Sequence, residues 1–294
     1  MLGSINMDLV VRVSELPRPG DTVLGDRLQT IPGGKGANQA VAAARLGARV
    51  RMIGRVGGDA FGAELVAGLR EDGVDTSGVA ADASEPSGAA LIVVDRGGQN
   101  TITVAPGANS TVGVEEVRRL RQGLEAGDVV VLQLEIPLPA VLAAIEAAHD
   151  AGARVILNAA PSAALAGRQM PNVDLLIVNE GEAEALGGPG LRESVAALAV
   201  TLGAAGSIVY ARDRETRIEP RRVKAVDATA AGDALVGAAA YSLALGSSVT
   251  DAIRLGGAAG AASVTKMGAR PSLPWPDDLK RLFGIELTAL PSKR

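Results

Sequence analysis

The chain of 294 residues carries a formal net charge of -4, no cysteine and one histidine, and is 47% hydrophobic, 21% charged and 2% aromatic. That composition supports a large aliphatic core and excludes disulfides, thiol catalysis and Cys/His zinc sites. It leaves a Ser-His-Asp hydrolase only His149 as base, and offers nucleic acid or an anionic membrane neither net basic charge nor stacking rings.

No stretch approaches the ~18 apolar residues of a membrane span, and no basic n-region precedes an apolar run between Met1 and Asp8, so a cytoplasmic protein is expected. The chain opens almost at Gly3-Ser4-Ile5, which leaves the first strand short of upstream apolar residues and predicts a natural start further upstream. Short strands are predicted over 9–13 and 22–24, separated by tight turns at Pro17, Pro19 and Gly20. Gly33-Gly34-Lys35-Gly36-Ala37-Asn38 then runs into a helix over 39–46. Glycines before a helix N-terminus let backbone N–H groups approach a polar ligand. The spacing is neither a P-loop nor G-x-G-x-x-G, and a plain tight turn also fits it.

A strand over 50–53 follows, then a helix capped by Asp59, running to Glu71 and stopped at Gly73. Residues 89–94, a turn over 95–98 and residues 101–104 predict a β-hairpin. This hairpin and the strands before Gly33 have no neighbouring helix to cover them. They predict a small lid sheet, drawn from about 9–30 and 87–105, whose apolar face needs a ligand, a partner or a second subunit.

The remaining chain alternates helices over 114–124, 139–150 and 180–186 with apolar strands over 129–134, 155–157 and 175–178. Arg118, Arg119 and Arg121 line an exposed helix face, and His149 sits in a last turn, where a cation is favourable. A helix over 191–199 is predicted to run into a strand over 200–202. Continuous apolar strands between helices imply one α/β domain over 1–294, with a doubly wound, mostly parallel sheet covered by helices on both faces. Val226-Asp227-Ala228-Thr229-Ala230-Ala231-Gly232-Asp233 leads into an apolar helix over 234–244. Small residues there leave the helix N-terminus open, and its dipole favours an anion. Asp233 beside that anion hole could take a proton from a substrate hydroxyl, the pairing that phosphoryl transfer needs. Taken alone, Asp233 is equally an ordinary N-terminal helix carboxylate. Trp275 reads as a packing anchor.

The two glycine-bearing motifs, in this order, resemble the signatures of the PfkB family of carbohydrate kinases, from about Leu2 to Trp275. Ser4-Ile5-Asn6-Met7-Asp8 and Lys266-Met267-Gly268-Ala269-Arg270-Pro271-Ser272 resemble its ribokinase branch in particular. The resemblance implies ATP-dependent phosphorylation of D-ribose at its primary hydroxyl. It implies Asp233 as catalytic base, with Ala231 and Gly232 giving backbone N–H groups to the transferring phosphate. It implies a sugar site of Asn6, Met7, Asp8, Gly34, Lys35, Gly36, Ala37, Asn38, Glu135 and Asp233.

On the nucleotide side it implies Asn179, the loop Thr201-Leu202-Gly203-Ala204-Ala205-Gly206, Gly257, Gly232 and Asp233, with Glu182 acting on hydrated Mg²⁺ through water. It also implies a K⁺ site from the side chains of Asp227 and Ser272 and the carbonyls of Thr229, Ser263, Lys266 and Gly268. A homodimer joined through the lid is expected.

The pattern is broken in places. The segment between Gly187 and Thr201 is shorter than in the family, Gly257 stands where a polar residue near adenine is common, and Ala228 where Thr is common. Either the turn from Gly203 is the nucleotide loop, or residues 191–203 form one helix and the loop is lost; the kept downstream spacing favours the loop. Other readings are a fructokinase, deoxyribose kinase or adenosine kinase, and a non-catalytic sugar-binding relative. A nucleoside acceptor is disfavoured by the scarcity of aromatics. A dinucleotide oxidoreductase is disfavoured by the missing G-x-G-x-x-G.

Overall fold

A computed structural model describes residues 1–165, 168–170, 172–211 and 214–288. Strands β1 (Asn6–Arg12) and β2 (Gln29–Gly33) lead into helix α1 (Lys35–Arg45), and β3 (Arg51–Gly57) into α2 (Ala60–Glu71). Then come β4 (Asp75–Asp82), β5 (Gly88–Val94), β6 (Asn100–Ala105), α3 (Val114–Arg121), β7 (Val129–Leu132), α4 (Leu138–Asp150), β8 (Arg154–Asn158), β9 (Leu175–Asn179) and α5 (Glu180–Ala185). Strands β10 (Ala197–Thr201), β11 (Ser207–Ala211) and β12 (Arg214–Ile218) precede α6 (Ala231–Ala244), α7 (Val249–Ser263), α8 (Ala269–Ser272) and α9 (Pro276–Phe283).

The main sheet runs β12-β11-β10-β9-β8-β7, parallel from β7 to β10 and antiparallel beyond. Leu2 bridges it to the parallel pair β3-β4, touching Ile53 on one side and Leu132 on the other. Strand alternation sends Val130 and Leu132 to a core with α3 and α4, and Val131 to the opposite core with α6 and α7. The sheet is therefore covered on both faces, as expected. No helix among the described residues is long and apolar enough to cross a membrane.

The second sheet has the order β2-β1-β5-β6 and is the predicted lid. Its hairpin β5-β6 forms as read, closed by Asp95 and Gln99. The strand expected over 22–24 is absent; β1 pairs instead with Gln29–Gly33. That segment contains Pro32 and Gly33, poor strand formers, and is tolerated because β2 is an edge. The helix expected over 191–199 is also absent. A 3₁₀ stretch, Gly188–Ser194, precedes β10, and the tight turn over 203–206 joins β10 to β11, so the long-helix alternative falls. Helix α1 begins at Lys35, four residues before the predicted start, and β7 ends two residues early, freeing Gln133 to Glu135 to turn into the site.

Candidate active site

Two helix N-termini meet at the centre. A Cβ on Gly237 of α6 would lie 2.5 Å from the Ala42 Cβ and 2.7 Å from the Gln39 carbonyl, so α1 and α6 touch backbone to backbone there. This contact brings Asn38 and Gln39 onto Asp233, in the first turn of α6 and only 8% exposed. Asn38 Nδ2 donates to Asp233 Oδ2 at 3.0 Å, and Gln39 Nε2 donates to Oδ1 at 2.9 Å. Burial pushes the Asp233 carboxyl above its ordinary range, while Lys35 and the two amides pull the other way.

Ala230, at φ 61, turns the chain into α6. The Ala231 N–H, expected to face the phosphate, donates to the Ala228 carbonyl at 3.2 Å. Among the described residues the amides of Gly232 and Asp233 meet no backbone carbonyl, and nothing lies within 4 Å of a Cβ built on Gly232. The open N–H groups thus sit one residue further along than the sequence suggested.

Asn6 and Asp8 project from β1 beside this point. Met7, expected with them, alternates to the other face and is fully buried in the core with α1 and α2. Asn109 Nδ2 donates to Asn6 Oδ1 at 2.7 Å, which leaves the Asn6 amide nitrogen as the donor for a ligand. Burial lifts the Asp8 carboxyl to about 7, with Glu135 and Asp233 adding to the rise and Arg270 and Lys35 opposing it. Lys35 keeps its proton despite burial because Asp233, Glu135, Glu182 and Asp8 all face it.

Gly34 has φ 87, and a Cβ there would stand 2.7 Å from the Asn6 nitrogen, so only glycine fits the turn. Gly36 and Ala37, read as sugar contacts, are not open to a ligand. Their N–H groups donate to Ser4 Oγ at 3.3 Å and the Ser4 carbonyl at 2.9 Å, because the residue 3–5 segment abuts the start of α1. Glu135 Oε2 accepts from Ser4 Oγ at 2.6 Å and from Lys35 N at 3.1 Å, capping α1 from outside.

Of the residues expected to meet the nucleotide, Asn179 ends β9 and Thr201 ends β10. Leu202 N donates to the Gly206 carbonyl at 2.8 Å, closing an exposed turn that contains Gly203, Ala204 and Ala205 and follows Thr201. Asn179 and Glu182 form a reciprocal capping box on α5. Gly257 in α7 has open space where a Cβ would stand.

Of the residues expected at the cation site, Asp227, Thr229 and Gly268 meet one another, and Ser263 meets Ser272. Asp227 accepts from Thr229 N and Oγ1 and, at 2.8 Å, from Gly268 N, bonds that hold its carboxyl below the ordinary range against burial. Ser272 Oγ lies 2.8 Å from Ser263 Oγ. The side chain of Lys266 pairs with Asp278 at 2.7 Å, so only its carbonyl could serve a cation. Among the described residues no three carboxylate or imidazole side chains cluster to hold a metal. The donor set here is one carboxylate, hydroxyls and carbonyls, which suits a hard monovalent ion. A groove of about 560 Å³ runs from Asp8 and Asp227 outward along the lid past Arg12, Ile92 and Ile102.

Several buried polar groups were not announced by any motif. Gln39, Gln133 and Asn109 are isolated amides in apolar or mixed surroundings, and nothing in their spacing marks them. Arg270 and Ser4 were read only as parts of motifs, and Arg270 is 5% exposed with none of its guanidinium nitrogens hydrogen-bonded. Trp275 is half-exposed rather than packed inside, with the Arg45 guanidinium 5.0 Å over its ring.

The pfkB family carbohydrate kinase pattern matches residues 1–276. The chain is 38% identical to the ribokinase of Haemophilus influenzae over 288 residues, covering 93% of this chain and 94% of that protein. It is 37% identical to the ribokinase of Bacillus subtilis, covering 96% and 98%. The deoxyribokinase of Salmonella typhi is 34% identical, covering 93% and 94%. Among solved structures, the ribokinase of Thermotoga maritima superposes with a TM-score of 0.85 at 32% identity, covering 97% and 98%. The Arabidopsis thaliana ribokinase complexed with ribose and ATP superposes at 0.82 and 29%, also covering 97% and 98%.

Proposed function

The chain belongs to the pfkB family of carbohydrate kinases, and from that membership we propose that it transfers the γ-phosphoryl group of ATP to ribose, giving ribose 5-phosphate and ADP. The observation that carries this reading is Asp233: a buried carboxylate at a helix start, gripped by two amides beside two backbone N–H groups without a carbonyl. Asp233 takes the proton of the primary hydroxyl as that oxygen attacks the γ-phosphorus in line. The N–H groups of Gly232 and Asp233 meet the developing negative charge. Asn6, Asp8 and Asn38 hold the other hydroxyls, since carboxylates and amides each make several such bonds. Lys35 balances the acidic groups around the sugar.

The turn from Gly203 to Gly206, Asn179 and Gly257 receive the nucleotide. Glu182 would hold hydrated Mg²⁺ through water, because its carboxylate can accept from the water that Mg²⁺ retains. Asp227 and Ser272, with the carbonyls of Thr229, Ser263, Lys266 and Gly268, would hold K⁺. When bound, the two ions supply positive charge beside the phosphates. An ATP-consuming enzyme of this kind belongs in the cytoplasm, and the lid is proposed to close against a second copy of the chain.

The test is a coupled ADP-release assay over ribose, 2-deoxyribose, fructose and adenosine, with and without K⁺. Ribose is expected to give the highest kcat/KM. The similarity to deoxyribokinase makes 2-deoxyribose the second reading. A higher kcat/KM for any other acceptor would replace ribose as the substrate, and no ADP release with any would remove the kinase.

A further inference from the structure

Asp233 is held from the protein interior by a chain of side-chain amides. Gln133 Nε2 donates to Gln39 Oε1 at 2.6 Å. Gln39 Nε2 then donates to Asp233 Oδ1 at 2.9 Å and to Asn158 Oδ1 at 3.0 Å. Gln39 and Gln133 are fully buried. The direction of the chain is set from both ends. An ionised carboxylate only accepts, so Gln39 must turn its NH₂ group to Asp233. Asn158 gives its Nδ2 to the Ile177 carbonyl at 3.2 Å, so its oxygen faces Gln39 as well. Both N–H bonds of Gln39 are spent on acceptors, and its carbonyl accepts from Gln133 Nε2, which also reaches Met1 Sδ at 3.3 Å, while Gln133 Oε1 is buried without a partner. Turning Gln39 over would set its oxygen against Asn158 Oδ1, so Asp233 Oδ1 meets a donor and finds nothing to accept a proton from it. Oδ2 differs. Asn38 donates to it, but Asn38 Oδ1 is buried without a partner, so this amide can turn over and accept once Oδ2 is protonated.

We propose that Gln39 is a positioning residue for phosphoryl transfer: oriented by Gln133 and Asn158, it reserves Asp233 Oδ1 as an unprotonated anchor and directs the acceptor hydroxyl's proton to Oδ2. This rests on Asp233 acting as the base. In the step, the sugar O–H bond breaks and its proton goes to Oδ2. The electron pair left on that oxygen forms the new O–P bond, and the γ-phosphorus–oxygen bond breaks with its pair leaving on ADP. The charged groups facing the carboxylate are Lys35 from α1, Glu135 after β7 and Asp8 from β1. Against that fixed background the Gln39 bond stabilises only the ionised form, and losing it makes the base easier to protonate.

The test compares Gln39→Met, which keeps length and removes the amide, with Gln133→Met, which removes only the pin. Kinetics are followed across about pH 5 to 9, the range in which a base of this kind titrates. Gln39→Met should lower kcat about 10- to 100-fold with KM for ribose within about threefold, and move the acid limb of kcat up by about one unit. Gln133→Met should move it the same way by less. If Gln39→Met loses the folded circular dichroism spectrum, Gln133→Met decides. Wild-type kcat and an unmoved acid limb in the folded variants overturn the positioning role. Asp233→Asn separates the two readings: it should cost about 10²–10⁴ in turnover while ribose and ATP still bind by calorimetry. Near wild-type turnover in that variant overturns the base itself.

Discussion

Asp8 shows how one side chain trades stability for binding. Its carboxyl titrates near 7 in the fold, above the ordinary 3.8, because burial and two neighbouring carboxylates oppose its charge. The folded state therefore holds the proton more tightly than the unfolded chain. Ionising Asp8 costs stability, a cost absent below the ordinary value and complete above about 7. Asp8→Asn removes that cost. It should raise the melting temperature at pH 8 and change it little near pH 4, with about 4 kcal/mol as the upper bound. The same substitution should raise KM for ribose at least about tenfold, as expected when a charged hydrogen-bond acceptor is lost. In the wild type, kcat/KM for ribose should fall as pH drops below 7, where Asp8 becomes neutral. Calorimetric scans and pH-dependent kinetics on both proteins check this; a melting difference independent of pH would remove the assignment. Asn6, Asp8, Asn38 and Asp233 were legible because their motifs carry chemical residue types at fixed spacing. Gln39, Gln133 and Asn109 were not, because a buried amide acquires its meaning from a partner about 90 to 200 positions away in the chain, as with Gln39 and Asp233.

Elements with strong local signals formed where the sequence put them. Asp59 caps α2 through Gly62 N at 2.8 Å, and Gly73 with φ 80 ends its turn. The failures share a cause: tertiary context outweighed local preference. Ala-rich periodicity suggested a helix before Thr201, but Ala197–Thr201 lies between β9 and β11 and is drawn into the sheet. Gln29–Gly33, with a proline and a glycine, is a strand only because β1 needs an edge partner. Packing of α1 on α6 is itself testable. Gly237→Ala puts a methyl into the Ala42–Gln39 contact and should cost about 1–3 kcal/mol by overpacking. It should also lower kcat, because separating the helices pulls Asn38 and Gln39 off Asp233. A folded variant with unchanged kcat and stability would show that the contact is slack. The cation loop gives a second prediction at this scale. Asp227 ties the turn before α6 to Gly268 before α8, so an ion held there would set the geometry of the proposed anion hole. KCl titrated into a tetramethylammonium buffer should activate turnover, and NaCl should do so poorly. Equal rates without either salt would remove the ion site and leave the kinase.

At the scale of the whole molecule, the lid is the part that leaves aliphatic side chains exposed. Strand register aligns Val10 with Ile92 and Ile92 with Ile102, and the next rank on the same face holds Ile31, Asp8, Ala90 and Val104. That face lines the outer part of the groove, and Ile102 remains 55% and Val104 44% exposed. A pentose beside Asp8 reaches only the inner end of that face. An uncovered apolar sheet face is costly in water and invites pairing. The simplest cover is the same face of a second copy in an isologous contact, because one patch then answers both chains. Closing two lids together would also exclude water from the transfer site. The chain should therefore be a homodimer by light scattering. Ile102→Asp, on β6 at the outer part of the groove, should give a folded monomer with a raised KM for ribose. Ribose should slow amide exchange over 9–24 and 89–104 more than in β7 to β10, since the lid orders as it closes. A wild-type monomer with full activity, or lid exchange indifferent to ribose, would show that the face is covered in some other way.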